Sequence, residues 1–153
     1  MNVPNKERLK ALALDLTRNV PRSPRDTLAG YVIAARTLDK CRALVNGTIG
    51  EYHFDCPLDR LFFGFTEIDP ERFKDQVAGG AADEDIAAWI EKHAKARTRL
   101  DSIKWNNLMR SLRICDLPDP QQEFLEGYIP QFVPQGRPVY CWFDVYDLEE
   151  GRL

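Results

Sequence analysis

The chain has 153 residues, 44% of them hydrophobic, and a net charge of −3, which is typical of one globular domain and not of a disordered segment. A chain of this length buries enough surface to fold without a disulfide or a metal, and its apolar runs are too short to cross a membrane. Residues 1–16 carry no signal-peptide pattern, so we expect a soluble cytoplasmic protein with thiols at Cys41, Cys56, Cys115 and Cys141.

An N-terminal arm and loop, residues 1–22, precede the longest predicted helix. Ser23 is a favourable N-cap and Pro24 suits the first helical position, so we predict a helix over residues 24–46. Helical spacing gives this segment one broad apolar face, formed by Leu28, Tyr31, Val32, Ala35, Leu38, Cys41 and Val45. Gly30 costs a helix about 1 kcal/mol relative to alanine, which we interpret as a requirement for close packing there.

The middle of the chain is divided into short helices by proline and glycine. Residues 48–54 are too short and glycine-bounded for a helix, so we expect a turn or a short β-ribbon. A helix restarts near Pro57, and an Asp-Pro pair opens another over residues 69–80. Asp83 is the expected cap of a fourth helix over residues 82–94.

The C-terminal third contains three further segments. Residues 97–115 read as an amphipathic helix. The helix over residues 119–133 should end before Pro130, because the residue before a proline disfavours helical geometry. Residues 138–150 are rich in β-branched and aromatic side chains, which favours a strand, although their acidic end is also compatible with a final helix.

The helical period of 3.6 dominates these segments, and strands and helices do not alternate regularly, so a parallel sheet is disfavoured. The predicted fold class is mainly α: a single-domain helical bundle of five to seven helices over residues 1–153. One short β-ribbon is expected near residues 48–54 or 138–145.

Four short motifs lie in the first half of the chain: Ser23-Pro24-Arg25, Arg36 to Arg42, Gly50 to His53, and Cys56 to Asp59. With these motifs the chain, over about residues 14–153, resembles the bacterial domain-of-unknown-function family 5069. The resemblance implies one compact domain of intracellular bacterial origin. It brings no activity, cofactor or catalytic residue to this chain.

The first candidate site is a polar set on the long helix. Asp39 and Arg42 project close to the apolar face and are three residues apart, so we expect them to be buried and to pair with each other. Arg36 lies on an adjoining face. One interpretation is a ligand-binding pocket for an anion or carboxylate, made by Arg36, Asp39, Arg42, Glu51, Tyr52 and His53. The alternative is a structural network that joins the helix to the following turn.

The second candidate is a nucleophile. Cys56 immediately precedes Pro57 at a predicted helix N-terminus, where the helix dipole stabilises a thiolate. His53 could act as its base, with Glu51 or Asp55 orienting the imidazole. A polar turn with a half-buried cysteine is the alternative, because Cys-His sites usually assemble from distant segments and no protease signature accompanies this pair.

No metal site or cofactor is predicted. His53 and Cys56 form one ligand pair at usable spacing, but a structural zinc site normally needs a second close pair. Nucleotide-binding and common hydrolase motifs are also absent from the sequence.

A nucleic-acid partner is disfavoured. Lys95, Arg99, Arg110 and Arg113 share a polar helix face with Ser102 and Asn106. Trp105, however, lies on the apolar side of that helix, and the chain as a whole is acidic. We expect this face to be solvated or to dock on the acidic C-terminal segment.

Two functions therefore remain open. The first is a non-enzymatic helical module that binds a protein or a small anionic ligand. The second is a small enzyme in which His53 or Cys56 performs acid–base or thiol chemistry. The sequence leaves the activity, the ligand and the oligomeric state undetermined.

Overall fold

Amphipathic helices dominate the computed structural model, which describes residues 3–153. The described residues form eight α-helices, namely α1 (Val3–Leu12), α2 (Ala34–Asn46), α3 (Pro57–Thr66), α4 (Pro70–Ala78), α5 (Asp83–His93), α6 (Arg99–Arg110), α7 (Asp119–Phe132) and α8 (Trp142–Glu149). A short hairpin precedes α2, with strands β1 (Thr27–Leu28) and β2 (Tyr31–Val32). The mainly α prediction is confirmed. The additional, eighth helix is α1, which lies within the predicted N-terminal arm. Residues 1 and 2 of that arm are outside the described residues.

The hairpin replaces the first third of the predicted long helix. β1 and β2 pair antiparallel across a two-residue turn in which Ala29 and Gly30 have φ values of 54° and 82°. Two positive φ angles are what a tight hairpin turn requires, and glycine adopts them without steric cost. Gly30 is thus a turn residue, and the β-ribbon lies at residues 27–32 instead of at 48–54 or 138–145.

A side chain from a distant helix holds the hairpin. Asn106 of α6 is buried, accepts a hydrogen bond from the Val32 amide at 3.1 Å, and donates one to the Gly30 carbonyl at 2.8 Å. Its expected place on the polar face of α6 was therefore wrong. The Asn106 side chain thus satisfies the buried Val32 amide and the Gly30 carbonyl in the hairpin conformation, which explains why this segment is not helical.

The core surrounds α2, which packs against α1, α3 and α4. Every residue from Ala34 to Ala43 is buried, including four charged ones. An aromatic group on its α3 and α4 side contains Phe54, Phe62, Phe63 and Phe73, with ring centroids 5.3 to 6.3 Å apart. This packing makes α2 a rigid platform for the polar side chains it carries.

Of the two aspartates predicted to cap helices in the middle of the chain, Asp69 is an N-cap and Asp83 is not. Asp69 caps α4 by accepting from the Glu71 amide at 3.1 Å, with Pro70 in the first turn. The N-cap of α5 is Ala82, not Asp83. Asp83 instead uses its carboxylate for two arginines, Arg22 and Arg42.

The last third differs from its predictions in two places. Pro130 lies inside α7, which continues to Phe132 because buried Val133 completes the final turn through its bond to the Ile129 carbonyl, at 2.9 Å. Residues 142–149 form the helix α8, so the strand interpretation of this segment was wrong. Asp144 starts α8 by accepting from the Cys141 amide at 2.8 Å.

The basic face of α6 is exposed to solvent. Trp105 on its other side is buried and stacks on Phe65 with centroids 4.7 Å apart, as its apolar position predicts. Asp144 and Asp147 of α8 pair with Arg25 and Arg152, and Glu150, which follows the helix, pairs with Arg36. These acids do not pair with the basic face of α6. No helix within residues 3–153 is both long and apolar enough to cross a bilayer.

Candidate functional site

A cleft of about 840 Å³ lies between the turn at residues 50–57 and helices α2, α7 and α8. Six aromatic side chains line it: Tyr52, Phe124, Tyr128, Phe132, Trp142 and Tyr146. We call it the aromatic cleft. Phe124, Tyr128 and Phe132 follow each other at every fourth position of α7, so the helix presents them as one stripe. A concave site with an apolar wall and few polar groups is typical of small-molecule binding.

Helix α2 places its charged residues in two different depressions. Arg36 and Lys40, four residues apart, line the aromatic cleft together with Glu51, Tyr52 and His53. Asp39 and Arg42 line a second depression of about 470 Å³ near α1 and α5. The predicted ligand set is therefore divided: the expectation of buried charges on α2 is confirmed, but these six residues do not form one pocket.

Asp39 and Arg42 do not pair with each other as predicted. Asp39 accepts three hydrogen bonds from Arg22, one from its amide and two from its guanidinium, at 2.9 to 3.1 Å. Arg42 donates to Asp83 at 2.7 Å and to the Ala81 carbonyl at 3.0 Å. Arg22 also reaches Asp83 at 2.9 Å, so four charges alternate in sign around the small depression.

This alternation explains the ionisation of the Asp83 carboxyl. Burial raises the pKa of Asp83, but hydrogen bonds and charge from Arg42 and Arg22 outweigh burial and leave the pKa below its usual value. Each guanidinium and carboxylate of the four is thereby neutralised by another. We interpret the four ion-paired side chains around the small depression as a structural network and not as a ligand site.

Arg36 forms a bidentate ion pair with Glu150, with N···O distances of 2.8 and 2.7 Å. Its guanidinium carbon lies 4.7 Å from the ring centroid of Tyr146 and 5.6 Å from that of Tyr52, and the Tyr52 hydroxyl donates to Glu150 at 3.0 Å. Burial raises the pKa of Glu150, but the hydrogen bonds and charge of Arg36 lower it overall. The fork of Arg36 is thus occupied within the protein.

Lys40 is the second cation of the aromatic cleft. The residue is 3% exposed, and its ammonium lies 2.9 Å from Asp59 Oδ1 and 3.2 Å from Cys56 Sγ. Fully buried Asp59 is also bonded by the Thr37 hydroxyl and the Asp55 amide. An ammonium has three N–H donors, so two contacts leave one donor for a ligand at the cleft wall.

The turn at residues 50–57 contributes unequal partners to the aromatic cleft. Glu51 and His53 are exposed at its rim, whereas Tyr52 is half-buried. Cys56 is half-buried at the N-cap of α3 and lines the cleft. The polar group at its sulfur is Lys40, and no hydrogen bond joins Cys56 to His53 in the described chain. The geometry therefore replaces the predicted Cys-His pair with a Cys-Lys pair.

The rim near α7 and α8 carries a carboxylate bonded by a tyrosine. The Tyr128 hydroxyl donates to Glu149 at 2.6 to 2.7 Å. Burial raises the pKa of Glu149, the Tyr128 hydrogen bond opposes this, and the neighbouring charge of Glu150 adds to the increase. Glu149 therefore takes up a proton at a higher pH than an ordinary glutamate.

Sequence reasoning missed the residues that give the cleft its shape and charge. Lys40 lies between two predicted residues on α2, and its four-residue spacing from Arg36 was the available signal. Trp142, Tyr146 and Glu150 were missed because the sequence left residues 138–150 between a strand and a final helix. Helical spacing would have placed Trp142, Tyr146 and Glu150 on one face.

Within residues 3–153 no group of three or more His, Cys, Asp or Glu side chains is arranged to hold a metal ion.

A family model described as a domain of unknown function, DUF5069, matches residues 18–152 of the chain. No curated protein matches the chain.

Proposed function

Because the chain belongs to the DUF5069 family, a domain of unknown function, we propose a function from the geometry alone: it binds a small organic anion in the aromatic cleft. The ligand class is a carboxylate with an aromatic or similarly flat apolar body. The observation that carries this proposal is the pairing of an aromatic wall with the ammonium of Lys40 inside one cleft of about 840 Å³.

The apolar part of the ligand follows from the side chains of α7. Phe124 is 65% and Phe132 46% exposed, although both face a concave surface. Tyr128 lies between them, with its ring centroid 5.4 Å from that of Phe124 and 4.4 Å from that of Phe132. Exposed aromatic rings in contact with each other offer a flat ligand a continuous face, and each ring that it covers adds favourable apolar burial.

The charged part of the ligand follows from Lys40. Arg36 uses both Nη atoms on Glu150, and its buried Nε has no hydrogen-bond partner. Lys40 has one N–H beyond its contacts with Asp59 and Cys56. A buried ammonium gains strongly from a charge-assisted hydrogen bond with a carboxylate. The anion-binding side chain that we now propose is therefore Lys40, and not the guanidinium of Arg36 or Arg42 that the sequence suggested.

The acids at the cleft do not contradict an anionic ligand. Glu150 is neutralised by Arg36 and Arg152, with N···O distances of 2.7 and 2.6 Å. Glu149 accepts a hydrogen bond from the Tyr128 hydroxyl, and burial raises its pKa above the ordinary glutamate value. Glu51 is exposed at the rim, where water screens its charge.

A thermal-shift series with matched compounds tests this proposal. Hydrocinnamate has both a carboxylate and a ring, propanoate lacks the ring, and phenethylamine replaces the anion by a cation. We expect hydrocinnamate to raise the melting temperature, by the equivalent of about 2.7 kcal/mol at a hundredfold excess over Kd. Propanoate should act more weakly, and phenethylamine should have no effect. Stabilisation by phenethylamine alone, or by none of the three compounds, would overturn the proposal.

Two aromatic variants locate the binding site. Phe132→Ala removes a ring from the cleft and should weaken hydrocinnamate binding about tenfold, equivalent to about 1.4 kcal/mol. Tyr140→Ala removes a ring that is 70% exposed and not part of the cleft lining, so it should not change affinity. Equal effects of both variants would place the ligand elsewhere.

We further infer that the protein works in a reducing compartment such as the cytoplasm. All four of its cysteines are free thiols in the structure, which is the usual state of cysteines in cytosolic proteins. Cell fractionation tests this inference, and recovery of the protein in an oxidising compartment would contradict it.

A further inference from the structure

We propose that Cys56 is a nucleophile that adds to an α,β-unsaturated carbonyl compound held in the aromatic cleft, forming a thioether. This inference rests on the proposed function, because it uses the same cleft and the same ammonium. It adds a covalent step and an electrophilic ligand class.

The first argument is the environment of the sulfur. Cys56 Sγ lies 3.2 Å from the buried ammonium of Lys40, and Cys56 is the N-cap of the ten-residue helix α3. A neighbouring ammonium and the positive end of a helix both stabilise the negative charge of a sulfur that attacks an electrophile. Asp59 shares the same ammonium, but its charge is also satisfied by Thr37 and the Asp55 amide.

The second argument is the comparison with the other three thiols. Cys41 is fully buried, and burial strongly raises its pKa. Cys115 is exposed, and its sulfur lies 3.9 Å from the carboxylate of Asp116. Cys141 precedes α8 beside Asp144. Among the described hydrogen bonds and ion pairs, Cys56 is the cysteine with a cationic partner, and it is also a cleft residue.

The third argument is chemical balance. The Cys56 thiolate attacks the β-carbon, a C–S bond forms, and the carbon–carbon π bond becomes an enolate. The remaining N–H of Lys40 can bond the carbonyl oxygen and stabilise its negative charge. The α-carbon then takes a proton from solvent. The net reaction adds S–H across the double bond, so it needs no oxidant, no leaving group and no cofactor.

The geometry favours addition over acyl transfer. Acyl transfer requires a base for the thiol and later for water, and His53 was the predicted base. His53 is exposed at the rim, and the contact at the sulfur belongs to Lys40. A cation beside the thiol suits conjugate addition, because it stabilises negative charge first on the attacking sulfur and then on the enolate oxygen.

The test uses the wild-type chain with its own internal reference. The protein is treated at neutral pH with benzylideneacetone, an aromatic enone, and adducts at each cysteine are measured over time by peptide mass spectrometry. We expect Cys56 to react at least about tenfold faster than Cys115, although Cys115 is the more exposed thiol. With methyl vinyl ketone, which lacks the ring, this ratio should be smaller. If Cys56 reacts no faster than Cys115 with either enone, the proposal is wrong.

Two variants distinguish the contribution of the Lys40 ammonium to the reaction rate from that of the aromatic rings of the cleft. Lys40→Met should lower the rate at Cys56 about tenfold with both enones, whereas Phe132→Ala should lower it with benzylideneacetone only. Because Lys40 is buried, circular dichroism is used first to establish whether Lys40→Met folds. If this variant does not fold, the ratio of the Cys56 and Cys115 reaction rates in the wild type still tests the proposal. A normal rate in a folded Lys40→Met protein would overturn the role of the ammonium.

Hydrocinnamate binding by the wild type distinguishes failure of this inference from failure of the proposed function, because hydrocinnamate has no electrophilic double bond and reports binding alone. In Cys56→Ser the thioether at position 56 should disappear. If hydrocinnamate binds but Cys56 is unreactive in the wild type, the covalent step fails and the binding function stands. If neither occurs, both proposals fail.

Discussion

Arg36 and Glu150 form a buried bidentate ion pair between side chains 114 positions apart in the sequence. Their side chains are only 2% and 3% exposed, and the Tyr52 and Tyr146 rings lie beside the guanidinium. The pair fixes the C-terminal end of α8 against α2. It therefore sets the distance between two walls of the aromatic cleft.

Removing one partner of this pair should be strongly destabilising. Arg36→Met leaves Glu150 buried without its main counter-charge, and we expect a loss of about 3–5 kcal/mol in the free energy of unfolding, measured with urea. Arg18→Met is the control, because the Arg18 side chain is 84% exposed. A loss below about 1 kcal/mol for Arg36→Met would mean that the pair is not formed in solution.

The hairpin should depend on one amide side chain. Asn106→Ala leaves the buried Val32 amide and the Gly30 carbonyl without their partner, so we expect a loss of about 2–4 kcal/mol. The neighbouring Asn107→Ala alters an exposed residue and should change stability by less than about 0.5 kcal/mol. Equal urea midpoints for the two variants would contradict the bridging role of Asn106.

Two glycine substitutions should have opposite signs. Gly30→Ala places a side chain at a φ of +82°, so it should destabilise by about 1 kcal/mol even though no atom lies within 4 Å of the added carbon. Gly64→Ala lies in α3 with equally open space, so it should stabilise by up to about 1 kcal/mol. Stabilisation by Gly30→Ala would indicate a helix over residues 24–46, as the sequence first suggested.

Stability should fall as the solution becomes acidic. Burial raises the pKa of Asp144, but bonds from the Cys141 amide and Arg25 lower it below the ordinary value of 3.8. A carboxyl whose pKa is depressed by folding stabilises the protein above its unfolded-state pKa, and this contribution is lost as pH falls through the folded-state pKa.

Asp144→Asn should therefore be less stable than wild type at pH 7, and the difference should narrow as pH falls below about 4. Urea titrations at several pH values measure this. The exposed Glu126→Gln is the matched control and should show no such narrowing. A difference that is constant with pH would exclude the charge of Asp144 as the cause.

Glu149→Gln should bind hydrocinnamate more tightly than the wild type at neutral pH, because the variant removes a carboxylate from the lining of the aromatic cleft and with it the repulsion of an anionic ligand. Isothermal titration calorimetry measures the affinity. Glu126→Gln changes an exposed glutamate that does not line the cleft and should leave the affinity unchanged. Weaker binding by Glu149→Gln would contradict the assigned position of the ligand.

Local signals in the sequence were sufficient for much of the fold. The 3.6-residue period, the Asp69 cap and the prolines at helix starts involve residues within one or two turns of each other, so they can be interpreted without the rest of the chain. The inward direction of Asp39 and Arg42 followed from the same period, since their helix also carries the apolar face, whereas Arg36 was placed on an adjoining face and is also buried. The motifs of the first half were likewise enough to indicate the family.

The choice between helix and hairpin at residues 24–33 was made by tertiary structure. Periodicity favoured the helix, but Asn106, more than seventy positions away, supplies two hydrogen bonds to the hairpin backbone. The partner of each buried charge was decided in the same way. Asp39 and Arg42 are suitably spaced to pair, yet Arg22 and Asp83 reach them with better geometry from other elements.

The sequence by itself thus determined a mainly helical domain with charged residues facing inward on α2. The tertiary structure alone decided that these charges separate into two depressions, that Lys40 contacts Cys56, and that α7 and α8 close an aromatic cleft over them. The physical reason is range: capping and helical spacing act within a turn of helix, whereas ion pairing and burial depend on which distant segments the whole core brings into contact.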